Sequence, residues 1–170
     1  IDASTLMKQF QNQIKLDITQ EGLRIQIVDE KNRPMFDSGS AVLKDYMKGI
    51  LRSLTTVLNE VDNKLTISGH TDSTPYASGD AGYSNWELSS DRANACRREM
   101  VAAGMKESKM LRVTGLASSV PLIVQDPTAP VNRRIAIVVM NKRAEDAVRA
   151  LATQDSLGTS PQPTGPTVTN

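Results

Sequence analysis

"LKDYMKGILRSLTTVLNEVDNKLTIS", residues 43 to 68, is the stretch that decides the fold, because its hydrophobic period changes within a single run. Its first part repeats apolar side chains at the 3.6-residue period of a helix over about five turns, which predicts a long amphipathic helix. Its last part, "KLTIS" at 64 to 68, alternates apolar and polar residues and predicts a short strand. A helix that leads directly into a strand is typical of a sheet with helices packed on it.

Further elements are predicted on both sides of this stretch. They are a helix over 4–13, a β-hairpin of strands 14–18 and 23–27, a second helix that ends near Gly104, strands over 110–116 and 133–141, and a closing helix over 143–151. The second helix has two possible starts, because Ser84 with Glu87 has the form of a capping box and Ser89 can cap a helix one turn later. This order predicts one mixed β-sheet with helices covering one face, an α/β two-layer sandwich.

Composition limits the classes of function. The chain has 170 residues, 39% of them hydrophobic, and a formal net charge of +1. These values suit one globular domain and give no charge excess for binding nucleic acid or a membrane surface. The longest apolar runs fall far short of the roughly 20 residues of a membrane helix. Cys96 and His70 are each the only residue of their type, so the sequence excludes an intrachain disulfide and a zinc site, and we expect no cofactor.

A polar loop follows the predicted strand. "HTDSTPYASGDAGYSNWELSSDRANA", residues 70 to 95, contains the only histidine and the only tryptophan. His70 beside Asp72 would suit a catalytic triad, but no GxSxG nucleophile motif occurs. Asp72 and Glu87 would suit the carboxylate pair of a glycosidase, but no apolar pocket that would raise a pKa is visible around either. Taken alone, Asp72 is better explained as an Asx-turn residue.

The second helix offers a polar face if it already includes Asn85. Asn85, Ser89 and Arg92 then lie at i, i+4 and i+7, so an amide, a hydroxyl and a guanidinium would point the same way. The simplest interpretation of Arg92 alone is a solvated charge or a weak surface ion pair.

Four ordered motifs resemble a known family. "FDSGS" at 36–40, "GHTD" at 69–72, "NWELSSDRA" at 85–93 and "NRR" at 132–134 resemble successive motifs of the OmpA-like peptidoglycan-binding domain. Asp72 and Arg92 are 20 positions apart. This spacing is longer than in the outer-membrane and lipoprotein members, and it resembles that of the flagellar motor stator branch.

The resemblance implies noncatalytic binding of peptidoglycan, gripped by the diaminopimelate of its stem peptide. Asp72 would accept hydrogen bonds from the diaminopimelate ammonium, and Arg92 would bind the neighbouring carboxylate with a bidentate fork. The other peptidoglycan-binding residues that the resemblance implies are Thr71, Asn85, Asp37 and Arg133.

The resemblance also implies a place in the cell and partners. We expect a periplasmic homodimer that meets the other stator subunit, MotA, through a membrane helix absent from this chain. The chain begins with Ile1 and shows no basic-then-apolar leader, so we expect a fragment whose anchoring segment lies upstream. Two alternatives stay open: another OmpA-like wall anchor, in an outer-membrane protein or a lipoprotein, and a peptidoglycan hydrolase.

Three parts are expected along the chain. Residues 1–30 form an N-terminal helix and hairpin that lead into the domain, and residues 31–152 form the OmpA-like core. Residues 153–170 are rich in Pro, Gly, Ser and Thr without periodicity, which predicts a disordered tail.

Overall fold

The computed structural model describes residue 5, residues 8–76 and residues 82–157. One five-stranded sheet has the order β1-β2-β5-β3-β4. Its strands are β1 (Ile14–Thr19), β2 (Gly22–Val28), β3 (Leu65–His70), β4 (Met110–Gly115) and β5 (Arg134–Met140), and the helices are α1 (Asp45–Leu58), α2 (Asn85–Ala102) and α3 (Lys142–Leu157). Within these ranges no helix is both long enough and apolar enough to span a membrane.

The sheet is mixed, as the sequence predicts. β5 lies at its centre and pairs antiparallel with β2 on one side and β3 on the other. β3 and β4 are parallel, and α2 is the crossover between them, since parallel neighbours cannot be joined by a tight turn. The hairpin of β1 and β2 therefore belongs to the same sheet as the motifs that follow it.

Helices α1 and α2 cover one face of this sheet. Alternate strand residues, such as Ile27, Ile67 and Ile137, are fully buried beneath them. The predicted stripe of α1 supplies Met47, Ile50, Leu51, Leu54 and Leu58 to the same core, because residues spaced three or four apart share one helix face. The predicted two-layer α/β sandwich is confirmed.

Two glycines allow α2 to approach the sheet closely. A Cβ atom at Gly69 in β3 would lie 2.1 Å from the carbonyl oxygen of Ser89, and one at Gly115 in β4 would lie 2.4 Å from the hydroxyl of Ser90. A side chain at either position would push the helix away. The first turns of α2 are thereby fixed beside the carboxyl end of β3, where the polar loop begins.

The structure fixes two helix boundaries, the start of α2 and the end of α3. The capping box of Ser84 and Glu87 is present, so α2 begins at Asn85 and not one turn later. The closing helix predicted over 143–151 is longer than expected, because α3 runs from Lys142 to Leu157. The sequence "RALATQDSL" contains no glycine or proline, so nothing in it stops a helix. Residues 158–170 lie outside the described residues, as do residues 4, 6 and 7 of the helix predicted over 4–13; within that range residues 5, 8 and 9 are helical and residues 10–13 form a turn.

Candidate functional site

A cleft of about 770 Å³ opens where β3 ends and α2 begins. Three segments form its walls: the loop before α1, the loop after β3, and the first turns of α2. Residues just after β2 and just before β5 complete the lining. The lining side chains include Asp29, Phe36, Lys44, Thr71, Asp72, Tyr76, Asn85, Arg92 and Arg133. We call this the main cleft.

The end of β3 places Thr71 and Asp72 in the wall of the main cleft. The Thr71 backbone N–H donates to the carbonyl of Ala117 at 2.9 Å, which extends the contact between the segments after β3 and β4. The Asp72 carboxylate accepts a hydrogen bond from the Thr74 N–H at 2.8 Å. This is the local turn that the sequence suggests for Asp72, and it fixes the direction in which the carboxylate points.

Arg133 joins two carboxylates beneath the main cleft. Its Nε donates to Asp29 at 2.7 Å, and its Nη1 donates to Asp72. The register of the sheet explains this meeting, because Val28 pairs with Arg134 and the residues just beyond them, Asp29 and Arg133, are then neighbours. Burial raises the pKa of Asp29 against the opposing effect of Arg133. Burial also acts to lower the pKa of Arg133, but the two carboxylates outweigh it and raise that pKa.

Arg92 lies in the opposite wall, on the second turn of α2, and is buried. Its Nε donates to the carbonyl of Ser40 at 2.8 Å, and its guanidinium lies 4.8 Å from the centre of the Phe36 ring. Burial lowers the pKa of Arg92, while the nearby charges of Asp29 and Asp72 act in the other direction. The side chain is therefore a structural tie to the loop before α1 as well as a cation facing the main cleft.

Asn85 and Asp37 occupy different positions relative to the main cleft. The Asn85 amide lines it and donates to the Thr74 carbonyl at 2.9 Å. The Asp37 carboxylate forms an ion pair of 2.8 Å with Lys44, and Asp37 is not among the lining residues. Of the six residues implied by the resemblance, Thr71, Asp72, Asn85, Arg92 and Arg133 are thus brought together, and Asp37 lies at the rim.

Several lining residues escape prediction from the sequence. Asp29 is a single acid after a strand, and only the pairing of β2 with β5 reveals its contact with Arg133. Tyr76 donates from its hydroxyl to the Gly39 carbonyl at 3.0 Å, which links the loop after β3 to the loop before α1. The "FDSGS" motif identifies the second of these loops but does not identify its contact with Tyr76.

Two polar residues singled out in the sequence serve other purposes. Ser89 is fully buried, and its hydroxyl donates to the Trp86 carbonyl and accepts from the Ala117 N–H at 3.0 Å. It therefore does not share the polar face proposed with Asn85 and Arg92. His70 lies beside Ser68 on the face of the sheet opposite the core, 3.2 Å from its hydroxyl. Burial and the charge of Arg134 lower the pKa of His70 to about 4, so the imidazole is neutral.

The structure does not support the acid pair of Asp72 and Glu87 that would suit a glycosidase. A glycosidase needs a carboxylic acid with a raised pKa. Glu87, the second acid of that hypothesis, accepts hydrogen bonds from Ser84 at the start of α2, and these contacts lower its pKa. Among the residues that the structure describes, no group of three or more His, Cys, Asp or Glu side chains is placed to hold a metal ion.

With two carboxylates and two guanidinium groups around one cleft, the site and the fold define the class of protein. Residues 35–136 match the model of the OmpA family, and the chain belongs to that family, which confirms the resemblance read from its motifs.

Individual relatives narrow the comparison within this family. The chain is 51% identical to "Motility protein B" of Escherichia coli K12 over 148 residues, which cover 87% of this chain and 48% of that protein. The chain therefore spans about half the length of that relative. Among solved structures, the periplasmic domain of Helicobacter pylori MotB has a TM-score of 0.65 at 17% identity, covering 85% of this chain and 99% of that one. The cell wall anchor of the T6SS from Pseudomonas aeruginosa has a TM-score of 0.64 at 18% identity, covering 82% and 96%. The two solved structures share the fold.

Proposed function

We propose that this domain binds peptidoglycan without cleaving it and anchors the stator of a flagellar motor to the cell wall. The observation that carries the proposal is the meeting of Asp72, Arg92 and Arg133 in the main cleft, at the positions of the OmpA-like motifs. The 51% identity to Motility protein B supports the motor over other uses of the same fold.

The ligand group that best suits the main cleft is the side-chain end of diaminopimelate, which carries an ammonium and a carboxylate on one carbon. The cleft has Asp29 and Asp72 as anions and Arg92, Arg133 and Lys44 as cations. It therefore offers partners for both charges of the zwitterionic group. Asp72 accepts from the ammonium, and the Arg92 guanidinium binds the carboxylate, an interaction in which its planar fork is superior to a lysine.

Arg133 positions a ligand-binding carboxylate in this proposal. Because it is bonded to Asp72 and Asp29 together, it holds the Asp72 carboxylate in place before the ligand arrives. Preorganisation of this kind lowers the cost of binding. Thr71 and Asn85 add neutral hydrogen-bonding groups on either side.

The wider setting is also proposed. The domain works in the periplasm as part of a homodimer, and the longer protein meets the stator subunit MotA. Each charge-assisted hydrogen bond contributes about 1.5–3 kcal/mol at most, so a single domain binds weakly. Two linked domains on one wall raise the overall affinity without any new contact.

Cosedimentation with purified diaminopimelate-type peptidoglycan tests wall binding. Asp72→Asn and Arg92→Lys keep the size of each side chain and should each lose most of the bound fraction. Asp17→Asn and Arg52→Lys are matched controls, because both residues are in ion pairs away from the main cleft, and they should bind like the wild type. Equal binding by all four variants would contradict the proposal, and release of soluble wall fragments would favour a hydrolase.

A second experiment separates the motor from another wall anchor, such as the type VI secretion anchor that shares the fold. The corresponding part of E. coli Motility protein B is replaced by this chain, and swimming is measured in soft agar. Motility restored by the wild type and lost with Arg92→Lys supports the stator role. Wall binding without any restored motility would favour a different OmpA-like anchor.

A further inference from the structure

Strand β1 forms one edge of the sheet, and among the strands that the structure describes it pairs with β2 alone. Its register with β2 runs from Ile14 to Thr19 without a bulge, and its sequence "IKLDIT" contains no proline. Proteins often block an edge strand with a bulge, a proline or a strand too short to pair. None of these features is present in the six residues of β1, so this edge can accept another strand.

The backbone groups that β1 offers at this edge come from alternate residues. The Val28 N–H of the neighbouring strand donates to the Gln13 carbonyl at 2.8 Å, just before β1 begins. Hydrogen-bonded and non-hydrogen-bonded pairs alternate along an antiparallel ladder, so the odd-numbered residues of β1 bond to β2. The N–H and C=O groups of Leu16 and Ile18 are therefore directed away from β2, toward the open edge.

The core face of β1 also leaves apolar surface open to solvent. Leu16 and Ile18 lie on this face, opposite Ile25 and Leu23 of β2. Their side chains are 49% and 80% exposed, so α1 and α2 do not cover them as they cover the central strands. A regular edge strand with exposed Leu and Ile side chains favours association with another strand.

The charges on the other face of β1 determine which partner fits. Lys15 and Asp17 are both exposed on that face, and two antiparallel strands place residues of the same face opposite each other. If Leu16 lies opposite Leu16 of a second copy, each Lys15 lies opposite Asp17 of the other chain. A shift of two residues in one direction would oppose two Lys15 side chains, and a shift in the other direction would oppose two Asp17 side chains. Only the first register places unlike charges opposite each other.

We propose that two copies of this chain associate through β1, antiparallel and with Leu16 on the two-fold axis, so that their two sheets join into one. A two-fold interface uses the same residues of both copies, as this self-complementary strand requires. Leu16 bonds to Leu16 of the second copy through the backbone, and each Ile18 lies opposite Ile14 of the other copy. An interface of one strand pair is small, so the association is weak.

The register suits the ion pair that β1 already makes. Asp17 pairs with Arg24 of its own sheet, and in the dimer it lies between that guanidinium and Lys15 of the second copy. Exposed ion pairs contribute little free energy. The charges therefore select the register and the partner, while the backbone hydrogen bonds and the apolar face hold the strands together.

This inference rests on the proposed function, because it gives a surface to the homodimer stated there. The main cleft opens at the end of the sheet where β1 begins, since Ile14 pairs with Ile27 and the next residue, Val28, pairs with Arg134. Two antiparallel β1 strands therefore place the two main clefts at opposite ends of the joined sheet. One dimer then reaches two separate stem peptides.

Disulfide cross-linking tests the register. Leu16→Cys places two thiols on the two-fold axis, where the Cα atoms of a hydrogen-bonded pair lie about 5.5 Å apart, a separation that a disulfide can span. Ile18→Cys is the control, because its two Cα atoms are about 13 Å apart along the strands. Under mild oxidation Leu16→Cys should form a covalent dimer at least roughly tenfold faster. Random collisions would favour Ile18→Cys, since Ile18 is the more exposed of the two, and faster coupling there would overturn the register.

Charge reversal tests the partner, with sedimentation equilibrium as the measurement. Lys15→Glu would oppose carboxylates at both symmetric positions, and Asp17→Lys would oppose ammonium groups, so each variant alone should associate at least roughly tenfold more weakly. An equimolar mixture of the two variants should regain the dimer, because unlike charges face each other again. Lys106→Glu is the control, since Lys106 is exposed and precedes β4 at the opposite edge of the sheet. Thermal melts establish that each variant is folded.

The outcomes separate this inference from the proposed function. A wild type that stays monomeric up to about 1 mM, or a mixture that does not regain the dimer, would overturn the β1 interface. Wall binding by the main cleft would stand in either case. Dimerisation as expected without any cosedimentation with peptidoglycan would contradict the proposed function and leave the interface standing. Cosedimentation is run below the concentration at which the chain dimerises, so Asp17→Asn remains a valid control there.

Discussion

Replacing Arg133 by glutamine should destabilise the fold by about 2–3 kcal/mol. Arg133 is the shared partner of Asp29 and Asp72, whose side chains are only 5% and 10% exposed. Removing one partner of a buried ion pair costs about 3–5 kcal/mol, since a buried charge is left without compensation. We expect a smaller value because the Arg133 side chain is 28% exposed. Each carboxylate also keeps one backbone donor, the N–H of Met35 or of Thr74.

The loss of stability should depend on pH with a definite sign. Burial already raises the pKa of Asp29, and Arg133 opposes that rise. Without Arg133 the pKa of Asp29 in the folded state increases further above its value in the unfolded chain. A carboxyl group of this kind favours the folded state at low pH and loses that contribution as the pH rises through the folded-state pKa. The gap between wild type and variant should therefore be largest at pH 7 and shrink toward pH 4.

Urea unfolding followed by far-ultraviolet circular dichroism, at pH 7 and pH 5, measures this loss. Arg24→Gln is the matched control, because Arg24 pairs with Asp17 while both side chains are more than a third exposed, and such pairs contribute about 0–1 kcal/mol. Adding Asp29→Asn to Arg133→Gln should recover part of the stability. A loss for Arg133→Gln no larger than that of the control would refute the ion-pair account of this wall.

Two further predictions concern the frame around the site. Gly69→Ala should lower the free energy of unfolding by about 3 kcal/mol, because the new Cβ would lie 2.1 Å from the Ser89 carbonyl oxygen. Gly49→Ala in α1 is the control, since its Cβ would meet nothing within 4 Å, and it should raise the free energy of unfolding by about 0.5–1 kcal/mol. Similar melting temperatures for the two variants would count against the close packing of α2. His70 has its folded pKa lowered from 6.5 to about 4, so the folded state should lose about 1–2 kcal/mol as the pH falls from 7 to 5, measured by urea unfolding. His70→Gln should show a smaller loss over that interval, and an equal one would mean that His70 is not buried in its neutral form.

Periodicity and spacing predict the fold of this chain well. The stripe of α1, the alternation of β2 and the apolar run of β5 each reflect burial on one or both faces, and burial is what sequence patterns record. Ser84 and Ser89 are both good caps, so the sequence alone leaves the start of α2 open, and the observed capping box of Ser84 and Glu87 decides it. α3 runs past its predicted end because residues 152–157 contain no glycine or proline that would stop a helix.

The site is only partly visible in the sequence. Asp72, Asn85 and Arg92 come from motifs, but the clamp between Asp29 and Arg133 depends on strand register over 104 positions of sequence. The spacing of the sequence predicts Ser89 on one helix face with Asn85 and Arg92. Its hydroxyl instead accepts a hydrogen bond from the Ala117 N–H, on the side of α2 that packs against the sheet. The sequence alone predicts Arg92 as a solvated charge or a weak surface ion pair, and the motifs predict it as a ligand-binding group; its contacts with Ser40 and Phe36 make it structural as well.

The most direct test of the central claim is the choice between two stem peptides. A lysine-type peptide keeps the ammonium group but lacks the neighbouring carboxylate, so it would leave the Arg92 guanidinium without its partner, and polar sites reject such ligands strongly. Nuclear magnetic resonance titrations with diaminopimelate-type and lysine-type tripeptides should show roughly tenfold tighter binding of the first, about 1.4 kcal/mol. Arg92→Lys should reduce that preference. Equal affinities of the wild type for the two peptides would contradict the assignment of Asp72 and Arg92 to the two charges of diaminopimelate.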